Sequence, residues 1–286
     1  MTLYSVNTGY FKLDGGAMYG VVPKSIWNKL NPADDNNMCP WALRSLLIQD
    51  GKRLILVDNG MGDKQDAKFF GHYYMHGDDT LEKSLSAHGF HADDITDVIL
   101  THLHFDHCGG SIVRQGDKFL PAFKNAVYWS NERHWNWAVN PNEREKASFL
   151  KENILPIQES GQLQFIPVAD AKDGKLGESP FSENVTLRFV HGHTDAMMLP
   201  QFSHKGTTFV YAADLLPSIG HLPLPYVMAY DMFPLTTLQE KRVFLKEAAE
   251  NNYALFFEHD PVNECCTLKQ TERGVRHDAL FPIAAF

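Results

Sequence analysis

The stretch that decides the fold is Thr101-His102-Leu103-His104-Phe105-Asp106-His107-Cys108-Gly109-Gly110. It directly follows Asp97-Val98-Ile99-Leu100, an apolar run that is typical of a buried strand. Gly109 and Gly110 predict a sharp turn after the cluster. The histidines and the aspartate therefore lie where a strand passes into a loop. Because imidazole nitrogens and carboxylate oxygens are the ligands that zinc takes in catalytic sites, the stretch predicts a metal site rather than a merely polar loop.

Composition limits the class of protein. The chain has 286 residues, of which 44% are hydrophobic, so it can bury a sizeable core. The formal net charge of −9 argues against a nucleic-acid backbone or an anionic membrane as the main partner, because both favour a basic face. The N-terminal residues lack the basic start of a secretory signal, and the four cysteines do not suggest a disulfide framework. These features favour a cytoplasmic, reduced protein.

Other apolar runs also end in acidic or histidine residues. The predicted strands at 53–57, 185–190, 207–213 and 253–257 are followed by Asp58, His193, Asp214 and His259. Ligand sites of open α/β folds lie at such strand edges. We therefore predict one site that collects side chains from five strand ends. Strands and helices alternate without a linker or a repeat, which favours sheets covered by helices in one domain.

Two further segments bear on this site. Asp50-Gly51 predicts a hairpin that joins strands at 42–49 and 53–57. Residues 69–77 are rich in aromatic side chains and are expected to be irregular.

Residues 130–137 and 143–152 have helical composition and hold several tryptophans. We expect this helical stretch to form a wall or lid over the site. His134 within it is expected to be a surface or packing residue rather than a metal ligand.

The ordered set of motifs resembles the metallo-β-lactamase superfamily. The residues that carry the resemblance are Leu56-Val57-Asp58-Asn59-Gly60, His102-x-His104-x-Asp106-His107, Gly192-His193-Thr194, Asp214 and His259. They run in order over nearly the whole chain. The resemblance implies an α/β (α+β) fold, the four-layer αββα metallo-β-lactamase sandwich, with a two-metal site on one edge. It also implies a single domain over residues 1–286 with a helical insertion at about 130–157.

The family pattern implies a role for each ligand residue. His102, His104 and His193 would hold one metal ion, and Asp106, His107 and His259 would hold the second. Asp214 would bridge the two ions together with a water or hydroxide. Asp58 and Thr194 would support the ligands from outside. His191 lies two residues before His193 and competes for its role, but the Gly-His-Thr pattern favours His193.

The expected cofactor is a pair of divalent metal ions, zinc first, with manganese or iron as alternatives. Asp106 and Asp214 are the only formal anions among the ligands, because a neutral histidine carries no charge. Two ions about 3.5–4 Å apart would favour a bridging hydroxide and polarise an electrophile. Asp106 and Asp214 are therefore the expected catalytic residues, with Asp106 also shuttling a proton to the leaving group.

Within the superfamily, the sequence is most similar to the lactonase and organophosphate (methyl parathion-type) hydrolase branch. The long segment between His107 and His193 and the aromatic loop at 69–74 carry this similarity. It implies hydrolysis of an ester-type substrate, which means a lactone, an aryl ester or a phosphotriester. Homoserine-lactone lactonases often place a tyrosine shortly after the bridging aspartate, whereas this chain has Asp214-Leu215-Leu216-Pro217-Ser218.

We expect Phe69, Trp135 and His221 to line a substrate pocket. The expected partner is a small-molecule substrate, with no nucleic acid and no membrane, and the branch implies a homodimer. Two other activities of the same fold stay open, a thiolester hydrolase and a mononuclear iron dioxygenase in which His107 would be a spectator. A non-catalytic metal-binding or scaffold protein is a third alternative.

Overall fold

The protein folds into two large β-sheets and their helices, as described by a computed structural model that covers residues 1–286. The chain divides into two compact units. The first unit comprises residues 1–9 and 43–168, and the second comprises residues 10–42 and 169–286. The mixture of sheets and helices confirms the predicted α/β class.

Fifteen strands and eight α-helices follow in chain order. The strands are β1 (Thr2–Asp14), β2 (Met38–Asp50), β3 (Arg53–Val57), β4 (Asp97–Ile99), β5 (Ile112–Gln115), β6 (Lys118–Pro121), β7 (Val127–Ser130), β8 (Leu163–Phe165), β9 (Glu178–Pro180), β10 (Val185–Val190), β11 (Met197–His204), β12 (Thr207–Tyr211), β13 (Ala254–Phe256), β14 (Cys265–Thr271) and β15 (Gly274–Phe281). The helices are α1 (Gly15–Tyr19), α2 (Lys24–Trp27), α3 (Ala67–Tyr73), α4 (Leu81–Ala87), α5 (Phe105–Cys108), α6 (Glu132–Val139), α7 (Lys151–Glu159) and α8 (Pro234–Glu250). No helix has both the length and the apolarity that crossing a membrane requires.

The six-stranded sheet has the order β1-β2-β3-β4-β7-β8. Strands β2 and β3 form the predicted hairpin, with Asp50 opposite Arg53 and with Gly51 in the left-handed region at φ 61°. Strand β3 then pairs in parallel with β4, and Val57 lies opposite Ile99. Because parallel strands end at the same edge, the residues after β3 and those after β4 meet there.

The core of the first unit lies between this sheet and its helices. Its buried side chains come from the strands, from the motif and from both insertion helices, and they include Leu56, Val98, Leu103, Trp135 and Ile157. The motif is thus anchored by an apolar residue of its own.

The seven-stranded sheet has the order β15-β14-β13-β12-β11-β10-β9. Strands β12 and β13 run in parallel, with Tyr211 opposite Phe256, so the segments that follow them leave at one edge. Strands β10 and β11 form a hairpin whose loop starts after Val190. The sequence pattern gave no sign of β11. Pro200 lies within it, and a proline argues against a strand because it cannot donate a ladder hydrogen bond.

Two local expectations were wrong. Residues 67–73 form a helix rather than an irregular segment, because the Asp66 carboxylate accepts a hydrogen bond from Phe69 N and caps it. Residues 143–150 do not form a continuous helix with 151–152. The Asn142 side chain accepts from Arg144 N and Glu145 N and makes a turn, so α7 begins only at Lys151.

Gly109 and Gly110 allow the backbone of the motif to approach another backbone segment closely. Neither forms a turn with a positive φ. A Cβ at Gly109 would lie 2.0 Å from the Met61 carbonyl oxygen, and one at Gly110 would lie 2.2 Å from that of Asn59. Gly109 itself has φ −61°, which any residue adopts. The motif therefore packs backbone to backbone against the loop after β3.

Replacing Gly109 by alanine should destabilise the protein, because the new methyl group overlaps a backbone oxygen that cannot rotate away. We expect a loss of about 1–3 kcal/mol, and thus a melting temperature lower by about 2–4 °C for each kcal/mol. The matched control is Gly71→Ala in α3, where a Cβ meets nothing within 4 Å. Alanine is the better helix former, so this control should be neutral or slightly stabilising. Equal melting temperatures for the two variants would contradict the packing argument.

Candidate metal centre

Four residues of the motif form the first histidine cluster, His102, His104, Asp106 and His107, all in the first unit. The ligand atoms of His102 lie within 4.8 Å of those of His104 and His107. His102 Nε2 is 3.0 Å from His104 Nδ1, and His107 Nε2 is 3.9 Å from Asp106 Oδ2. The three histidines are buried, whereas the Asp106 carboxylate is partly exposed. The structure thus gathers these predicted ligands at the end of β4.

The Asp58 carboxylate contacts Thr101 and His107 of the motif. It is fully buried, and its Oδ1 accepts from Thr101 N at 2.8 Å. Its Oδ2 accepts from the Thr101 hydroxyl at 2.6 Å and lies 3.1 Å from His107 Nδ1. Asp58 has a positive φ of 54°, a strained conformation for a residue with a side chain.

These contacts assign the tautomers of two histidines. Asp58 can only accept, so His107 carries its proton on Nδ1 and presents a lone pair at Nε2. The Thr101 hydroxyl donates to Asp58, so its oxygen accepts from His102 Nδ1 at 3.1 Å. His102 therefore also presents its Nε2 lone pair.

His104 is held at Nε2, whereas His102 and His107 are held at Nδ1. Its Nε2 lies 3.0 Å from Oε1 of Glu145, a carboxylate with 1% exposure, so Nε2 carries the proton and Nδ1 presents the lone pair. His134 is fully buried, and its Nε2 accepts from Leu103 N at 2.9 Å. His134 thus packs under the motif, as predicted. The sequence pattern did not single out Glu145.

His193, Asp214 and His259 form the second histidine cluster, in the second unit. Asp214 lies between the two rings, with Oδ2 at 3.1 Å from His193 Nε2 and Oδ1 at 3.3 Å from His259 Nε2. The outer nitrogens are held by acceptors. His193 Nδ1 is 2.8 Å from Asp231 Oδ1, and His259 Nδ1 is 2.8 Å from the Ala42 carbonyl oxygen. Both rings therefore turn an Nε2 lone pair towards Asp214.

This donor set fits divalent metal ions. In each cluster lone pairs face other acceptors, namely Nε2 of His102 against Nδ1 of His104, and the oxygens of Asp214 against two Nε2 atoms. Acceptors about 3 Å apart repel unless a proton or a cation lies between them. Zinc sites are built from neutral imidazoles together with carboxylates, and each imidazole donates a hydrogen bond from the nitrogen that does not bind the metal.

Comparison with known proteins agrees with this chemistry. Residues 44–259 match the sequence model of the Metallo-beta-lactamase superfamily. The chain belongs to this superfamily. Membership confirms the predicted metallo-β-lactamase fold and the predicted class of enzyme, a metal-dependent hydrolase. A search among curated proteins found no match.

Solved structures resemble this metallo-β-lactamase protein over almost its whole length. A probable metal-dependent hydrolase from Staphylococcus aureus has 25% sequence identity and a TM-score of 0.86, with 98% of this chain and 96% of that chain covered. AidC, a dizinc quorum-quenching lactonase, has 22% identity and a TM-score of 0.77, with 98% and 95% covered. The hydrolase AbOPH has 19% identity and a TM-score of 0.74, with 98% and 94% covered. These structures share the metallo-β-lactamase fold with this chain.

The loop that carries His193 in this metallo-β-lactamase protein is fixed by α8. Glu240 accepts from His191 N at 2.6 Å and from Gly192 N at 3.0 Å, and burial raises the pKa of Glu240 to about 7. His191 Nδ1 accepts from Ala196 N at 3.2 Å and thus faces its own loop. Of the two competing histidines, it is His193 whose ring faces Asp214.

Among the predicted pocket residues, Phe69 lies beside the first histidine cluster. Phe69 and Tyr73, both on α3, pack against Phe105 with ring centroids 5.2 and 4.8 Å away. Burial and the charge of Asp106 raise the pKa of Tyr73 to about 12, so its phenol keeps its proton. Trp135 is instead buried in the core, with its ring 6.1 Å from that of Phe165.

His221 lies in the second unit and is buried. Its Nε2 donates to the Met18 carbonyl oxygen, and its Nδ1 lies 2.9 Å from the Ser218 hydroxyl. Its ring stacks on Tyr19 at 4.7 Å, and burial lowers its pKa to about 3. His221 is therefore neutral at physiological pH. The pocket roles of Phe69, Trp135 and His221 stay predictions.

Thr194, the second residue predicted to support the ligands from outside, is fully buried, and its hydroxyl has no hydrogen-bond partner in the protein. Cys108 of the motif is also buried. Its thiol donates to the Leu103 carbonyl oxygen at 3.3 Å, and burial raises its pKa to about 12. A buried thiol that donates to a backbone carbonyl oxygen packs as a small apolar residue.

Proposed function

We propose that this protein is a two-metal hydrolase that cleaves an ester-type substrate, a lactone, an aryl ester or a phosphotriester. The residues of the two histidine clusters would bind two divalent ions, with zinc as the first expectation. The ligands would be His102, His104 and His193 for one ion, Asp106, His107 and His259 for the other, and Asp214 for both. One observation carries the proposal. Each of the five histidines has one nitrogen held by an acceptor, and the other nitrogen turned towards a ligand atom of its own cluster.

The residues of the chain have separable tasks in this reaction. Two bound divalent ions would lower the pKa of a water between them towards neutrality. Asp214 presents one oxygen towards His193 and the other towards His259, so it would be a ligand of both ions. Asp106, the partly exposed carboxylate, would take a proton from the attacking water and pass it to the leaving group. Asp58 and Asp231 keep the outer nitrogens of their histidines protonated.

The substrate class rests on two lines of support. AidC is a lactonase, and this chain resembles it over almost its full length. The partly exposed Phe69 and Tyr73 also give the first histidine cluster an aromatic flank beside Phe105. Such a flank suits an uncharged organic group better than a charged one.

A substrate panel tests this proposal. The purified protein, loaded with zinc or manganese, should hydrolyse at least one lactone, aryl ester or phosphotriester. The His104→Ala variant should lose that activity, because it removes a proposed ligand. If no substrate of the panel is turned over by the loaded protein, the proposal is wrong.

The mononuclear dioxygenase is the weaker alternative. In such an enzyme His107 would be a spectator, yet its Nδ1 is fixed on Asp58 in the same manner as the other proposed ligands are fixed. Metal analysis separates the two, because one iron per chain with oxygen consumption supports oxidation, and two zinc or manganese ions support hydrolysis.

A further inference from the structure

The helical insertion forms hydrogen bonds with three consecutive residues of the motif, Leu103, His104 and Phe105. Leu103 N donates to His134 Nε2 at 2.9 Å, and Phe105 N donates to the Ser148 carbonyl oxygen at 3.0 Å. Between them, the ring of His104 meets Glu145, with Nε2 3.0 Å from Oε1. Both backbone neighbours of His104 and its side chain are therefore held by one segment, residues 130–150.

Glu145 is itself rigidly placed. Its second oxygen, Oε2, accepts from Trp137 Nε1 at 2.6 Å and from Asn142 Nδ2 at 3.3 Å. The backbone of Glu145 is also held, because its N–H donates to Asn142 Oδ1 at 3.1 Å. The carboxylate is almost completely buried, so water does not compete for these hydrogen bonds.

His104 differs from the other four histidines in the nitrogen that it presents. His102, His107, His193 and His259 are held at Nδ1 and present Nε2, whereas His104 is held at Nε2 and presents Nδ1. The Nδ1 atom is next to the carbon that joins the ring to the chain. A ligand that binds through it brings its backbone closer to the ion, so its position depends more strongly on the backbone around it.

We propose that Glu145 is a positioning residue that fixes the tautomer of His104 and thereby sets the affinity of the metal ion that His104 holds. This inference rests on the proposed metal centre. It makes the helical insertion a structural part of that centre.

The variant Glu145→Gln tests the inference with little change of shape. Its amide offers a single acceptor oxygen, which can serve either His104 or Trp137 but not both. We expect the affinity for cobalt(II), measured by chelator competition, to fall by about 10- to 100-fold. The visible absorption bands of the bound cobalt should also shift, because the ligand field at His104 changes.

The chain offers a matched control in Asp97→Asn. Asp97 is a buried carboxylate of the same unit that accepts from a tryptophan, Trp129 Nε1 at 2.8 Å, and pairs with Arg53 at 2.6 Å. It is not in contact with a proposed ligand. This variant should lower the melting temperature but leave the cobalt affinity and spectrum unchanged.

A second variant, Trp137→Phe, keeps the charge of Glu145 and removes one of its donors. It should weaken cobalt binding by a smaller factor than Glu145→Gln, and it covers the case in which Glu145→Gln does not fold. Cobalt affinity and bands that stay at wild-type values in both variants would overturn the role of Glu145, as would an equal loss in Asp97→Asn. A wild-type protein that binds no cobalt would instead overturn the proposed metal centre.

Discussion

Replacing Asp214 by asparagine should lower the hydrolytic rate of the metal-loaded protein by about 100- to 1,000-fold. The carboxylate presents one oxygen to His193 Nε2 and the other to His259 Nε2. An asparagine replaces one oxygen by an amide nitrogen, which donates hydrogen bonds and does not bind divalent ions. The measurement is kcat/KM on the best substrate of the panel, together with the metal content of the same sample.

Asp195→Asn is the control for this loss. Asp195 lies in the loop that carries His193. Its Oδ1 is 3.4 Å from His191 Nδ1, but it has no proposed role in the reaction. Its variant should stay within about threefold of the wild-type rate, because the change removes no proposed ligand. An Asp214→Asn protein that keeps wild-type activity and both metal ions would show that the bridging role is wrong.

Replacing Asp58 by alanine should have the largest effect on stability. Three buried donors lose their acceptor at once: Thr101 N, the Thr101 hydroxyl and His107 Nδ1. A buried donor left without a partner costs about 1–3 kcal/mol, so we expect a loss of at least about 3 kcal/mol. Thermal unfolding of the metal-free protein measures this loss without a contribution from bound ions.

Asp173→Ala controls for backbone strain. Asp173 has φ 53°, nearly the same as the 54° of Asp58, but it is exposed. If the effect of Asp58→Ala comes only from placing alanine at a positive φ, the two variants will unfold at similarly lowered temperatures. Our account requires a much larger loss at Asp58.

The sequence predicted the inward-facing side chains better than their outer partners. The motif at 102–107 and the residues after β12 and β13 could be found because each follows an apolar strand, a local pattern. Glu145 lies 41 residues from His104, and Asp231 lies 38 residues from His193. Neither follows a strand, and no spacing rule connects them to the motif, so only the folded chain pairs them.

The charge balance of the centre changes with these partners. The sequence predicts Asp106 and Asp214 as the only anions among the metal ligands. The structure shows buried carboxylates that accept from the proposed ligand histidines: Asp58, which the sequence predicts to support the ligands, and Glu145 and Asp231, which it does not predict. In the proposed centre, part of the positive charge of two divalent ions would therefore be offset through the imidazole rings rather than by direct ligands.

Local backbone chemistry explains the other differences. The aromatic-rich segment forms α3 because Asp66 caps that helix. Strand β11 contains Pro200, a residue that argues against a strand in the sequence pattern. Gly109 was read as a turn residue, although its role is to let the Met61 carbonyl approach. For α3 and Gly109, a contact with a capping or distant residue decided the outcome, and hydrophobic periodicity does not report such contacts.

The number of metal ions bound to each chain tests the central claim most directly. The protein would be stripped of metal, loaded with zinc, freed of excess ion and analysed for zinc and protein in the same sample. Our account predicts two zinc ions per chain, because the two histidine clusters supply ligands for two. A chain that holds at most one ion after loading would contradict the two-metal centre.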